Sequence, residues 1–393
     1  MLPIYLDHHA TTPLDPRVLA AMQPYFTVDF GNASSRQHAY GWTAAHAVDR
    51  AREHVAALIG ADDPKEIIFT GTATEANNLV LKGLAAALDE DHFVSVVTEH
   101  ASVLEPLAAL KEQGKRVTLL PVDGAGMVSV DAVRGAIEDR TIAVCVMLAN
   151  NEIGTIQPLA EIAAVCRERD VYCVSDIVQA AGHIPVDVKA LGLDAATLSA
   201  HKLHGPKGAG ALWLRRSKPR VPIAAQIHGG GHERELRAGT LNVPAIVGFG
   251  EAARIARAEL DTDASRQRSL RDRLFQRITS SAGGIELNGP SLEGARLPHN
   301  LNISVEGVDG EALLMELRDL AVSSGSACAS ATLEPSHVLR ALGRSDELAH
   351  AALRFGLGRF TSEAEIDLAA DHVVAGVARL RSTGVKHVDH PER

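Results

Sequence analysis

Between about residues 64 and 216, short runs of β-branched and other apolar residues alternate with stretches whose apolar residues recur at helical spacing. No other feature restricts the fold as far. Such alternation is built from βαβ units, whose crossovers set neighbouring strands parallel and cover both faces of the sheet. The runs predict strands over Glu66–Thr70, Phe93–Thr98, Arg116–Val122, Thr141–Leu148, Val171–Asp176, Ala195–Ser199 and Gly210–Arg215. Helical spacing occupies 41–59, 75–88, 102–113, 131–138 and 161–169,. The expected fold class is therefore α/β, with a mainly parallel seven-stranded sheet. A long helical stretch from roughly 245 to 280 connects this region to a second one, which opens at Gly283-Gly284,. There Asn300–Val305 and Leu353–Leu357 read as extended, Glu311–Leu317 as helical, and 363–381 as a closing helix. We expect a large α/β domain over 15–256 and a smaller α+β domain formed by 1–14 and 257–393.

At 393 residues the chain exceeds what one hydrophobic core usually organises, which agrees with that division,. Its net charge of −10 opposes nucleic acid or an anionic membrane as partner,. No apolar run reaches membrane-spanning length, and Met1-Leu2-Pro3-Ile4-Tyr5-Leu6-Asp7 lacks the basic-then-apolar pattern of a secretory signal,. A cytoplasmic protein is expected. The four cysteines, Cys145, Cys166, Cys173 and Cys328, show no C-x-x-C pairing, so neither a disulfide framework nor a structural zinc site is indicated,. The histidines at 8–9, 201, 204, 228 and 232 lack metal-ligand spacing, and no metal is expected,.

Several constellations suggest chemistry. Lys202 lies in Ser199-Ala200-His201-Lys202-Leu203-His204-Gly205-Pro206-Lys207-Gly208, downstream of Asp176-Ile177-Val178-Gln179. A lysine amine can link to the aldehyde of pyridoxal 5'-phosphate, and an aspartate at a strand end can pair with its pyridine nitrogen. Asp176 fits that role or a helix cap. Phe69-Thr70-Gly71-Thr72-Ala73-Thr74-Glu75 runs from strand through glycine into helix, an arrangement that favours phosphate; Thr72 and Glu75 also fit a capping box,. Ser199 and His201 would add donors at the same carboxyl edge. His100 can lie over a planar ring or cap a helix. Cys328 sits among small residues in Gly325-Ser326-Ala327-Cys328-Ala329-Ser330, which suits a loop thiol, whereas the other cysteines sit in apolar segments,. Arg354 can clamp a carboxylate or serve a salt bridge, with Asn151 and Asn32 as natural co-donors.

Together these residues resemble the cysteine desulfurases of the NifS/IscS type, class-V members of the aspartate-aminotransferase fold (pyridoxal-phosphate fold type I), along nearly the whole chain. The matching segments are Tyr5-Leu6-Asp7 through Pro13, Thr74 through Asn78, Thr98-Glu99-His100, Asn150 through Gly154, His201-Lys202 with Gly205 through Gly208, Gly229 through Arg234, Ala238-Gly239-Thr240, and Ser323 through Cys328. The resemblance implies that sulfur is taken from L-cysteine, leaving L-alanine and a persulfide on Cys328 that passes to an acceptor protein, such as an iron–sulfur scaffold. It implies that Lys202 links the cofactor and moves the Cα proton, that Asp176 pairs with the ring nitrogen, and that Gln179 bonds the phenolic oxygen. His100 would stack on the ring and shuttle protons, while Ala73, Thr74, Ser199 and His201 would hold the phosphate. Thr240 matches the residue that reaches the phosphate from a neighbouring subunit, which implies a homodimer. Asn32, Asn151 and Arg354 match the binders of the substrate carboxylate.

The sequence departs from the family pattern at Ala33, Ala200 and Ile177, where proline, glycine and a small residue are usual. The chain closes at Lys386 through Arg393, shorter than the tail by which housekeeping members engage their scaffold, so the resemblance leaves scaffold binding open. Selenocysteine lyase and class-V aminotransferase chemistry would use the same lysine but lean less on Cys328. A sulfur-relay partner with a vestigial site is the non-enzymatic reading.

Overall fold

The computed structural model describes residues 3–217, 220–324 and 335–383. Its strands are β1 (Ile4–Tyr5), β2 (Ile67–Thr70), β3 (His92–Val96), β4 (Arg116–Leu120), β5 (Thr141–Cys145), β6 (Tyr172–Asp176), β7 (Ala195–Ser199), β8 (Gly210–Leu214), β9 (Ile285–Leu287), β10 (Asn300–Val305), β11 (Leu320–Ala321) and β12 (Ala352–Gly356). Seven of them form the main sheet, in the order β2-β8-β7-β6-β5-β3-β4. Only β8 runs against its neighbours, β2 and β7; the other pairings are parallel. Strands β3, β5, β7 and β8 are buried at every position, which is why the sequence shows continuous apolar runs there and no alternation,.

The strands expected to reach Thr98, Val122 and Leu148 stop at Val96, Leu120 and Cys145. Past Cys145 the Val146 and Leu148 N–H groups still bond the Val174 and Asp176 carbonyls (3.1 and 2.9 Å), but the Met147 N–H between them goes to the Glu99 carboxylate (2.5 Å). The residues past the strand ends are thereby freed to face a ligand, the usual use of this edge in open α/β sheets.

One apolar cluster on the main sheet includes Val48, Phe69, Val144, Leu198 and Phe249, and another gathers Leu79, Leu84, Phe93 and Leu107. A third joins Leu6 to Leu274, Leu301, Phe355 and Val373. The helix Val243–Ser281 spans 39 residues and serves both ends. Ile246, Phe249, Ala253 and Ala256 of its first half enter the first cluster, whereas Leu270, Leu274 and Ile278 enter the third. The first set recurs at three- and four-residue spacing and the second at four, which aims one stripe of the helix inward. Burying a residue such as Phe249 contributes about 1.5–3 kcal/mol.

The N-terminal segment ties the two regions together. Strand β1 pairs with β11, Leu6 N–H bonds the Ala321 carbonyl (2.9 Å), and Thr12 N–H then reaches the His201 carbonyl (3.0 Å). Gly356 lets this segment lie against β12, since a Cβ there would sit 2.6 Å from the His9 nitrogen.

Candidate active site

Asp176 ends β6 opposite Thr197 of β7. One carboxylate oxygen accepts from the Val178 N–H (2.9 Å), the other from Asn77 Nδ2 (3.1 Å). Asn77 is buried on the helix Ala73–Ala87, its Oδ1 accepts from Thr197 Oγ1 (2.8 Å), and its Nδ2 also donates to Ser102 Oγ (2.9 Å). That hydroxyl lies 2.8 Å from His100 Nδ1, to which the Ser102 N–H also donates (3.0 Å). A nitrogen receiving a backbone N–H carries no proton itself, so the neutral ring bears its hydrogen on Nε2. His100 thus caps the helix Ala101–Glu112 and is also coupled, through Ser102 and Asn77, to Asp176.

Lys202 closes a short helical turn directly after β7. Its Nζ donates to the carbonyls of His9 and of Ala10, the latter at 2.8 Å. Gln179 Nε2 donates to the same His9 carbonyl (3.0 Å), so the two side chains converge on one oxygen. The adjacent His201 is mostly buried, and burial followed by the Lys202 and Lys207 charges lowers its pKa to about 4. It is an uncharged imidazole at neutral pH, available for hydrogen bonding.

Thr72 caps the helix Ala73–Ala87 by accepting the Glu75 N–H (3.0 Å). The Glu75 carboxylate, which a capping box would return to the cap residue, instead takes the Gly71 N–H (2.7 Å) and Arg237 Nε (2.7 Å). First-turn N–H groups, those of Ala73 and Thr74 here, have no partner inside their own helix. Gly210 of β8 runs beneath this helix start, where a Cβ would lie 2.4 Å from the Thr72 carbonyl carbon. Ser199 is the register partner of Gly210. Ser199, Ala73 and Thr74 are therefore neighbours at one corner of the carboxyl edge.

Arg354, on β12 and 2% exposed, donates through Nη2 to Asp7 Oδ1 (2.9 Å) and through Nη1 to the Asn151 carbonyl (3.3 Å). Its Nε is buried with no hydrogen-bond partner among the described residues. Arg354 thus serves the salt bridge to Asp7, and its Nε remains a buried donor for a further acceptor. Cys328 lies outside the described residues. Described residues close on either side of it include Ser323, whose N–H and carbonyl bond the Arg354 backbone (3.3 and 2.7 Å), and Ser336, whose hydroxyl donates to Glu152 Oε2 (2.5 Å). Asn32 is exposed and accepts the Ser34 N–H (2.8 Å); Thr240 is exposed. No hydrogen bond among the described residues joins either to the other groups.

Sequence reasoning gave no role in the site to Asn77, Ser102, His9, Glu99 or Glu152. Asn77 left a readable signal, a polar residue on the helix face that carries Ala76, Leu79 and Val80 inward. Glu99 and Glu152 left none, because burial of an acid is not written in its neighbours. Burial, and then Asp176, push the Glu99 carboxyl well above the usual range. Burial, opposed by the Ser336 hydroxyl, raises Glu152 to about 7. The departures from the family pattern fit: Ile177 and Ala200 are fully buried, and Gly205 leaves room beside the Ala200 methyl, where its own Cβ would come within 2.9 Å.

This donor set could hold pyridoxal phosphate: it offers an amine to an aldehyde, a carboxylate to a ring nitrogen, an amide to a phenolic oxygen, and a helix start beside Ser199 to a phosphate. A family model described as aminotransferase class-V matches residues 4–368. The cysteine desulfurase IscS of Rickettsia rickettsii (strain Iowa) is 50% identical over 383 residues, which are 97% of this chain and 92% of that protein. A solved structure described as a NifS-like protein superposes with a TM-score of 0.89 at 35% identity, covering 96% of this chain and 100% of that one. One described as SspA in complex with cysteine gives a TM-score of 0.80 at 32% identity, over 91% and 99%. The chain belongs to the class-V aminotransferase family, and within it to the cysteine desulfurases of the NifS/IscS type.

Proposed function

We infer that this chain is a pyridoxal-phosphate-dependent cysteine desulfurase acting on L-cysteine, with Lys202, His100 and Cys328 as its catalytic residues. The supporting observation is that Asp176, Gln179 and Lys202 all sit at or just past strand ends on one carboxyl edge, that Arg354 of β12 reaches the Asn151 carbonyl, and that Arg354 and Glu152 bind residues flanking the Cys328 segment. The family is pyridoxal-phosphate-dependent, and when bound that cofactor acts as the electron sink that lets Cα lose its proton,.

The residues have separate tasks. Asp176, steadied by Asn77 and the Val178 N–H, presents a negative charge to the ring nitrogen. Gln179 offers an N–H to the phenolic oxygen. Ala73, Thr74, Ser199 and His201 bind the phosphate, with Thr240 of a second copy completing the cup in a homodimer. Arg354 and Asn151, with Asn32, orient the substrate carboxylate. Lys202 Nζ takes and returns the Cα proton, and the Nε2 side of His100 relays protons at the reacting face. The Cys328 thiolate attacks the substrate sulfur: the Cβ–S bond breaks, an S–S bond forms, and a proton reaches Cβ, so cysteine and thiol become alanine and persulfide. The persulfide then passes to a sulfur acceptor, including those that build iron–sulfur clusters.

None of the helices among the described residues is long and apolar enough to cross a membrane; we place the enzyme in the cytoplasm. We also adopt 15–256 as the cofactor domain, with 1–14 and 257–393 as its smaller companion. The test is Cys328→Ser with a sulfide assay and mass analysis after borohydride reduction. Loss of sulfide release with cofactor still fixed to Lys202 is expected; release at the wild-type rate would remove Cys328 from the reaction. An unmodified Lys202 peptide in the wild type would refute the whole reading.

A further inference from the structure

Behind Lys202 three imidazoles are stacked in the interior. His183 and His299 lie 3.9 Å apart at 21°, and His299 and His9 4.4 Å apart at 31°. His9 and His299 are each 1% exposed and His183 is 9% exposed. Both ring nitrogens of His299 are buried without a hydrogen-bond partner among the described residues. A buried, unpaired polar ring weakens a fold, so its presence marks a demand other than stability. The desulfurase chemistry above uses none of these rings.

The hydrogen bonds fix what His9 does. Gln179 Nε2 donates to the His9 carbonyl, which can only accept, so Oε1 is the atom 3.0 Å from His9 Nδ1,. That oxygen in turn requires a proton on Nδ1. On the other side Asn300 Nδ2 faces His9 Nε2 at 3.1 Å, and its identity is settled because Asn300 Oδ1 accepts from Arg296 (2.8 Å) while Nδ2 donates to the Glu152 carbonyl (2.9 Å). His9 is therefore held neutral with its hydrogen on Nδ1. Burial first, and then the Arg354 charge, keep its pKa well below the usual value. The titratable or charged groups facing it are Arg354 from β12, Lys202 after β7, and the neighbouring rings of His183 and His299.

We propose that His9, propped by His299 and His183, is a positioning residue that locks the Gln179 amide with its nitrogen toward the cofactor's phenolic oxygen. Both ends of the amide are tied to one residue, Oε1 to the ring and Nε2 to the carbonyl, so it cannot turn over. The second hydrogen of Nε2 is left to point into the site. That same carbonyl receives Lys202 Nζ, so the ring also fixes the distance between the amine and the amide. His183 Nε2 lies 3.1 Å from the Lys202 carbonyl and completes the frame from the other end of the stack. The proposal rests on reading the site as a pyridoxal-phosphate pocket.

The test is a pH titration of the visible absorption of the purified holoenzyme, whose midpoint reports how well the phenolic oxygen is held ionised. His9→Phe keeps the ring stack but cannot donate to Gln179, and His9→Asn restores a donor near the Nδ1 position. We expect the phenylalanine variant to shift the midpoint up by about half to one pH unit, the value of one lost hydrogen bond, and the asparagine variant to stay near wild type. Gln179→Leu should give the same shift, with no further change when His9→Phe is added. An unmoved midpoint in His9→Phe, or additive shifts in the double variant, would overturn the proposal. Should the phenylalanine variant not fold, His9→Leu against His9→Asn repeats the comparison. A wild type without visible absorption overturns the cofactor reading itself, whereas normal absorption with an unmoved midpoint overturns only the role of His9.

Discussion

Replacing Asn77 by leucine, a side chain of similar size, tests the polar network more sharply than removing any reacting group. Three hydrogen bonds vanish at once, to Asp176, to Ser102 and from Thr197. The bond to the Asp176 carboxylate accounts for about 2 kcal/mol, as bonds to charged groups do. Thr197 is fully buried, so its orphaned hydroxyl adds about 1.5 kcal/mol,. Ser102 keeps its bond to His100 and loses about 0.5 kcal/mol,. The total is about 4 kcal/mol, with little cavity penalty. Urea unfolding should be followed by Trp213, which is 1% exposed on β8 within the same sheet, in a Trp42→Phe background that silences the 59%-exposed Trp42. The midpoint should fall with the slope unchanged. A loss under about 1 kcal/mol would show that water replaces these bonds, and the coupling of His100 to Asp176 would then fail as well.

Three other substitutions probe separate parts of the site. Arg354→Lys exchanges a planar fork for a point charge that cannot serve Asp7, Asn151 and a ligand carboxylate together. KM for cysteine should rise about 30- to 150-fold with kcat nearly unchanged, and an unchanged KM in steady-state kinetics would exclude the clamp. Gly210→Ala sets a methyl 2.4 Å from the Thr72 backbone and should cost about 1–3 kcal/mol while weakening cofactor retention in equilibrium dialysis; unaltered retention would separate β8 from the phosphate corner,. Glu152, raised from 4.5 to about 7 by burial, binds its proton more tightly folded than unfolded. Its stabilisation is complete below about pH 4.5 and is lost as pH rises through about 7, a difference of about 3 kcal/mol,. Glu152→Gln should therefore show a flatter stability profile across that window, and parallel profiles for the two proteins would refute the assignment.

The sheet was readable because its inner strands are short, mostly apolar runs, and because helical spacing of apolar residues takes over between them,. Strand ends were less so. Val97, Thr98 and Val146 through Leu148 are as β-prone as the strands before them; Val146 and Leu148 still bond β6, and it is the Glu99 carboxylate taking the Met147 N–H between them that interrupts the pairing. Lys202, Asp176 and Gln179 announced themselves by type and spacing. Their supports did not, since Asn77 and Ser102 lie 25 residues apart and His9 meets Gln179 across 170. Contacts of that separation arise from packing, to which a local pattern is blind.

The threading of the first residues between both regions fixes when the protein can mature. Ile4 and Tyr5 need Leu320 and Ala321 as ladder partners, and the His8 N–H needs the carbonyl of Gly356. The oxygens that receive the Lys202 amine belong to His9 and Ala10. A nascent chain holds all seven strands of the main sheet long before residue 356 leaves the ribosome, yet until then the segment carrying those acceptors is held only by its bonds to Gln179, His201 and His204,. If the proposed coenzyme binds at Lys202, a chain arrested in translation between Leu214 and Gly356 is expected to form the main sheet yet retain the coenzyme less well than the finished chain.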